Sequence, residues 1–395
     1  MTSSERHQAW VAQGLAELAH CEEEFIGLIT RITEVPAPSH QEAERGKLVA
    51  SIMKDFGFPQ VQTDAVGNVL GFFPGTDPSR VIVSMAHIDT VFPAGTPLKV
   101  TRQGNTLAAP GVGDNAASVA AMLLIGRLFA RQLPLPHPVL LIANVGEEGL
   151  GDLKGSRHFC AHVDDYDFDG FRLDPRTLVF LNIDGGLDHV VNAGIGSRRL
   201  RVTFTGEGGH SWGAFGHTSA IHGMGAAIAR IAKIQVPKHP KTTFNVGVVS
   251  GGTSVNTIAA SAEMLIDMRS VDGEALKAVE RDVRQAMDAG AAETGTTYTA
   301  EVVGDRPTGF IPEDHWLVRT IVAVGREHGF EMGLAASSTD SNIPLAKGWP
   351  AVTIGLKKSE NTHLVTEYLY IDSLVPGLKF GLCCYEALLY GPQQD

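Results

Sequence analysis

Continuous apolar runs alternate with helix-patterned stretches along the first half of the chain. RVIVSMA (80–86), PVLLIANV (138–145), TLVFLNI (177–183) and, near the end, PAVTIGL (350–356) have the length and composition of strands. Residues 20–55 carry helical periodicity on both sides of a Pro-rich break, VPAPSH. Asn115–Arg131 reads as one long helix, and residues 372–390 as another. Strands that are apolar throughout are covered on both faces, so this part predicts an α/β unit whose mainly parallel sheet carries helices on both sides.

The stretch from 194 to 305 has a different rhythm. RRLRVTFT (198–205) alternates polar and apolar like a half-exposed strand. A helix is predicted over 217–233, strands over Thr243–Val249 and Thr257–Arg269 around the turn SGGTSVN, a helix over 273–293 and a strand over 297–303. Strand, helix, strand, strand, helix, strand is the order of a ferredoxin-like α+β sandwich. The expected organisation is a discontinuous catalytic domain, 1–193 with 306–395, interrupted by an inserted domain, 194–305.

Composition narrows the function. The formal net charge of -12 disfavours nonspecific binding to nucleic acid or an anionic membrane. The apolar stretch Ala116–Ala130 contains Arg127 and is short for a bilayer span. The polar start, MTSSERHQAW, lacks the order of a secretion signal, so a cytoplasmic location is the expectation. Four cysteines without a CxxC pair argue against a thiolate metal knot. No G-x-G-x-x-G opens a helix after a strand, which sets a dinucleotide-dependent redox enzyme aside.

The positions of the acidic and imidazole side chains carry more information. His87 and Asp89 follow the run VIVSMA, Glu147 and Glu148 follow LIANV, Asp184 follows LVFLNI, and His363 lies in the loop after AVTIGL. Asp114 adds a carboxylate from the Gly-flanked turn GVGDN. Each sits just past the carboxyl end of a predicted strand or opens a helix, the edge where open α/β sheets build their sites. Singly, each has an ordinary explanation: a packing histidine, a helix N-cap at Asp114, a solvated acidic helix start at Glu147–Glu148, a turn at Asp184. Jointly, two imidazoles and three carboxylates suffice for two three-ligand metal sites sharing Asp114, with Glu147 left as proton shuttle and Asp89 able to take the second ring N–H of His87.

MAHIDTV (85–91), GVGDNAAS (111–118), GEEG (146–149), NIDGG (182–186), GEGGHS (206–211), SGGTSVN (250–256), DMR (267–269), SSTDSN (337–342) and THLVTEY (362–368) together resemble, in order, the co-catalytic dizinc metallopeptidases of clan MH. That family includes glutamate carboxypeptidases, peptidase T, acetylornithine deacetylase, succinyl-diaminopimelate desuccinylase and aminoacylase. The resemblance implies two divalent ions per chain, zinc by preference with cobalt or manganese as substitutes. His87, Asp114 and Asp184 would hold one ion, and Asp114, Glu148 and His363 the other. Glu147 would be the general base acting on a metal-bridging hydroxide, and Asp89 the partner of His87. The inserted domain would be a lid and homodimerisation module. Its His210 would reach the substrate carbonyl oxygen, typically in the partner subunit's site. Asn256 and Arg269 would bind the substrate's carboxylate or carbonyl, and Thr339 and Asp340 would line the cleft. Asn115 replaces the second aspartate of a common Asp–Asp pair at a position that is not a ligand. Asp184, where deacetylases of the family tend to carry Glu, leans the implied activity towards aminopeptidases and dipeptidases. The substrate is then a small peptide; the alternatives are an N-acyl amino acid cleaved by a deacylase, or none at all in a metal-binding scaffold protein that has lost catalysis. Retention of all five ligands and Glu147 weighs against the last.

Overall fold

The computed structural model describes residues 3–391; the outermost ends of the sequence-read catalytic domain, residues 1–2 and 392–395, lie outside the described residues. Its contacts divide the chain into two compact units, one running to Ala193 and resuming at Phe310, the other Gly194–Gly309.

A large mixed sheet organises the first unit, in the order Gln60–Thr63, Val69–Phe73, Val139–Asn144, Val81–His87, Leu178–Ile183, Ala351–Ile354, His189–Gly194. The four central strands are parallel, Val139–Asn144 to Ala351–Ile354. They are the four apolar runs read from the sequence, and every residue in them is buried. The outer strands are antiparallel, so the sheet is mixed where a mainly parallel one was expected. Gln60–Thr63 and Val69–Phe73 form a hairpin whose turn is fixed by the Asp64 carboxylate, which accepts from the backbone N–H groups of Val66, Gly67 and Asn68. A short hairpin imposes antiparallel pairing, and its half-exposed outer strand carries no apolar run to announce it.

The helix Ser118–Ala130 packs on three of the central strands. Its axis begins later than the predicted Asn115–Arg131, because Asp114 and Asn115 have non-helical backbones. The apolar segment extends further back than the sequence reading: Val112–Ala130 could cross a membrane by length and composition, but 89% of it lies buried inside the protein, as a core helix does.

In the second unit the strand order is Thr242–Gly251, Ser261–Ser270, Gly196–Thr205, Thr297–Arg306, all antiparallel. Leu200, Val202 and Phe204 lie opposite Ile266, Met264 and Ala262 on the paired strand and, with Met268, face one side, where they meet the helices Ala220–Ile231 and Gly273–Thr294 in a separate core. The longer helix is capped by Asp272, whose carboxylate accepts from the N–H of Ala275, and ends at Gly295 in the left-handed region. The single predicted strand Thr257–Arg269 is two. Thr257–Ile258 pairs with Gly209–His210, and the chain then shifts partners at Ala259 and Ala260, whose carbonyls accept from Ala220 and Gly206.

Candidate metal centre

The carboxyl ends of the four parallel strands lie side by side, so the residues leaving them converge. His87 closes its strand and is buried. Its Nδ1 lies 3.1 Å from the backbone carbonyl of Asp89 and 3.5 Å from the Asp89 carboxylate. A proton held on Nδ1 by these oxygens leaves the Nε2 lone pair for a metal. His87 Nε2 is 3.1 Å from Oδ1 of Asp114. The other oxygen of Asp114, Oδ2, is 3.1 Å from His363 Nε2, which is also 3.1 Å from Glu148 Oε1. One carboxylate thus spans two imidazoles, one oxygen to each.

The ligand atoms of His87, Asp114 and Glu148 all fall within 4.8 Å of one another. Burial opposes charge on His87, but Asp114 and Asp89 outweigh it and lift the imidazole's pKa well above its ordinary value. Asp114 and Glu148 raise that of His363 to about 10. Burial works against ionising Asp114 too, yet the two imidazoles hold its carboxyl below the usual range. Protons on the histidines stand where divalent cations would bind, and the donor set of imidazole nitrogen and carboxylate oxygen suits zinc-like ions. His87, Asp114 and Glu148 fit one such ion, and His363 extends the donor set through Asp114 and Glu148.

Asp184 is placed differently. It follows Leu178–Ile183, and burial and then the charge of Asp114 raise its pKa. Its Oδ1 accepts from the N–H of Gly185 at 2.6 Å, so the carboxylate is folded onto its own turn.

Asp89 does more than serve His87. Its Oδ1 accepts from the backbone N–H of Glu147 (2.9 Å) and its Oδ2 from that of Glu148 (3.0 Å), with Ser39 Oγ donating to Oδ2 at 2.7 Å. One buried carboxylate therefore fixes the backbone of both glutamates. Gly146 precedes them at φ +63, and a Cβ there would meet Lys154 Cβ at 2.9 Å, so the turn requires glycine.

Several supporting residues escaped the sequence reading. Glu367 is fully buried, and its carboxylate accepts from the N–H groups of Gly111 (2.9 Å), Gly113 (2.8 Å) and Asp114 (2.8 Å). It lies four residues after His363 and so ties the Asp114 loop to the His363 loop. Glu42 accepts from the Gly146 N–H, and the buried Arg45 donates to the carbonyls of Val35, Ile88 and Thr33. The segment after the Pro-rich break, read from the sequence only as helical, thus braces the turns at Ile88 and Gly146.

Thr339 and Asp340, expected to line the cleft, are each 4% exposed. Thr339 bonds to Thr353 and Ser341, while Asp340 accepts from Asn144 Nδ2 at 2.8 Å and, through its backbone carbonyl, from Ser156. These partners hold the segment among the strand ends. Burial pushes the Asp340 carboxyl up to about 7.

Three candidates belong to the second unit. His210 is exposed, and its Nδ1 accepts from the N–H groups of Trp212 and Gly213, each at 3.2 Å, which places the ring proton on Nε2 as an outward donor. Asn256 is exposed one position from Thr257, the strand partner of His210, and its side-chain oxygen accepts from Ser254. Arg269 lies on the open sheet face, where its Nε donates to Asp267 at 2.7 Å; Arg199 donates to the other oxygen of the same carboxylate.

Residues 192–295 match the family model for the peptidase dimerisation domain, and residues 68–194 that for peptidase family M28. The uncharacterised protein YqjE of Bacillus subtilis is 23% identical, covering 89% of this chain and 94% of its own. Acetylornithine deacetylase of Photorhabdus laumondii is 23% identical over 84% of this chain and 87% of its own. Among solved structures, aminopeptidase PepT from Bacillus cereus superposes with a TM-score of 0.72 at 21% identity, covering 92% of this chain and 98% of that one. The YXEP protein of Bacillus subtilis, a dinuclear metal-binding peptidase from the M20 family, does so with a TM-score of 0.66 at 17% identity, covering 93% and 98%.

Proposed function

Because this chain belongs to the M20/M28 zinc-exopeptidase family, we propose that it is a metal-dependent hydrolase that cleaves an amide bond of a small peptide. The observation that carries this reading is the Asp114 carboxylate spanning His87 and His363 beside the backbone-anchored pair Glu147–Glu148. His87, Asp114 and Asp184 would hold one ion, and Asp114, Glu148 and His363 the other, with zinc suited to both donor sets. Divalent ions bound there would polarise the substrate carbonyl and lower the pKa of water to about 7.

The chain's own groups do the rest. Asp89 holds Glu147 and Glu148 by adjacent N–H groups. Neighbouring side chains leave an extended backbone on opposite faces, so one can ligate while the other meets the attacking water. Glu147 takes a proton from that water as its oxygen attacks the amide carbon. The C–N bond breaks as Glu147 passes the proton to the departing nitrogen, giving a carboxylic acid and an amine.

The acetylornithine deacetylase among the relatives supports a second reading, an N-acyl-amino-acid deacylase using the same residues. The match to a dimerisation domain supports a homodimer formed through the second unit. Four cysteines without a disulfide accord with a cytoplasmic location.

The test is to strip the protein with a chelator, dialyse, and assay dipeptides, tripeptides and N-acyl amino acids with zinc, cobalt or manganese returned. Activity should vanish on stripping and return with metal, at about two ions per chain. Full turnover by the metal-free protein overturns the reading, and the preferred substrate class separates peptidase from deacylase.

A further inference from the structure

The second unit carries large apolar side chains in water beside its polar candidates. Trp212 follows His210 by two residues and Phe215 by five, and they are 89% and 91% exposed; Val255, next to Asn256, is fully exposed. Large apolar groups that cluster on a surface mark a place where something binds. The loop that bears the two rings is firmly built. Besides the two bonds to His210 Nδ1, the Ala214 N–H donates to the His210 carbonyl at 2.8 Å and the His217 N–H to the Ala214 carbonyl at 3.0 Å, while His217 Nδ1 donates to the Gly208 carbonyl at 2.8 Å. The main chain thus fixes the loop before anything binds, which removes part of the ordering cost of binding.

Phe215 and Val255 line a cavity of about 620 Å³ together with Ile221, Ile258, His217 and Ser254, all within this unit. Ser211 and Thr257 also line it, and they are the chain neighbours of His210 and Asn256. No carboxylate, lysine or arginine is among the described residues lining it. The volume is that of a small-molecule site, about 300–1,000 Å³. A charged group entering it would leave water without finding a partner, whereas a large uncharged one is driven in by the apolar area it hides. The first unit has apolar groups placed alike: Leu150, Leu364 and Val365 are exposed within two residues of Glu148 or His363.

We propose that this cavity is a substrate subsite, and that the substrate carries a bulky uncharged side chain, of the leucine or phenylalanine kind, seated against Phe215, Ile221 and Val255. The proposal rests on the amide-hydrolase reading above and on the part expected of His210 in it. His210, with its outward Nε2–H, and Asn256 take the substrate's polar groups at the edge, and the apolar wall selects the side chain.

The experiment measures kcat/KM of the metal-loaded protein for Leu-Leu and Phe-Phe against Ala-Ala, Glu-Glu and Lys-Lys, and for the N-acetyl derivatives of the same five amino acids. Calorimetry follows binding of the same compounds to the chelator-stripped protein. Leucine and phenylalanine substrates should exceed alanine ones by about tenfold or more, and charged ones by about a hundredfold or more. Phe215→Ser and Val255→Ser, both at exposed positions, should raise KM for the phenylalanine substrate by about tenfold and change kcat by less than about threefold. Val302→Ser, exposed on the strand Thr297–Arg306 of the same unit, should keep the preference. Equal rates across the series, or a preference for charged side chains, overturn the proposal and leave the hydrolase reading intact. Variants that keep the preference but dissociate a dimer in sedimentation overturn it too, because the occupant is then a second copy of the chain. A metal-loaded protein that hydrolyses none of the compounds overturns the hydrolase reading, and calorimetry then judges the subsite alone: no binding of Phe-Phe or N-acetylphenylalanine, or binding that Phe215→Ser leaves unchanged, overturns it.

Discussion

The ends of the parallel strands and the open face of the four-stranded sheet both carry polar residues that the sequence marks as functional, but they hold them in different ways. At the strand ends each candidate is fixed by buried groups from distant segments. Asp89 receives three donors from two regions, and Glu367 receives three backbone N–H groups from one loop. On the open face Arg269 shares the Asp267 carboxylate with Arg199 in a half-exposed cluster, and beside that sheet's own strands, in a separate two-stranded ladder of the same unit, His210 is held by bonds from its own loop. A buried carboxylate stripped of its donors retains a large desolvation cost, whereas an exposed one turns to water. The first region is therefore over-determined and intolerant of change. The second is locally organised and forgiving.

The sharpest way to break this contrast is at the paired glutamates. Glu147→Gln should keep its metal and lose about 10²–10⁴-fold in kcat, while Glu148→Gln should lose metal. Metal content by atomic absorption beside steady-state kinetics checks both, and near-normal turnover in Glu147→Gln would falsify the assignment of the base. A smaller effect is expected at Glu367. Glu367→Gln leaves one donor on the Asp114 loop facing an amide N–H₂, and metal affinity or activity should fall about 10–100-fold, as for other groups that orient ligands. A chelator competition assay measures it, and an unchanged affinity would mean the loop holds itself. The least change is expected on the open face. Arg269→Ala should shift stability by under about 1 kcal/mol, because the pair is half-exposed and screened, with metal content unaltered. A thermal melt showing a large loss would erase the distinction between the two regions.

Much of the first region was legible because its candidate residues follow runs of apolar residues that form buried strands. His87, Glu147, Glu148 and Asp184 are written into the sequence by position alone. The braces were not. Glu42, Arg45 and Glu367 act on backbone groups up to 256 residues away, and a carboxylate that accepts from a remote loop leaves no local periodicity. The burial of Thr339 and Asp340 was not legible for a related reason: a motif marks a position in the chain but not its depth. The antiparallel edge strands were missed because Gln60–Thr63 is short and half-exposed. In the second unit the alternation of Leu200, Val202 and Phe204 announced the sheet, but the change of partner at Ala259–Ala260 lies in main-chain bonds that small side chains do not signal.

The bond from Glu367 to the Asp114 N–H closes a span of 253 residues, and the contact between His363 and Glu148 one of 215. Between their ends lies Gly194–Gly309, which has a hydrophobic core of its own. On the ribosome, Asp114, Glu148 and Asp184 emerge long before the segment that anchors and completes them. Contacts of such separation form late, after loop-closure entropy has been met by local packing. The groups that meet Asp114 and Glu148 therefore come from a segment on the far side of a unit with a core of its own.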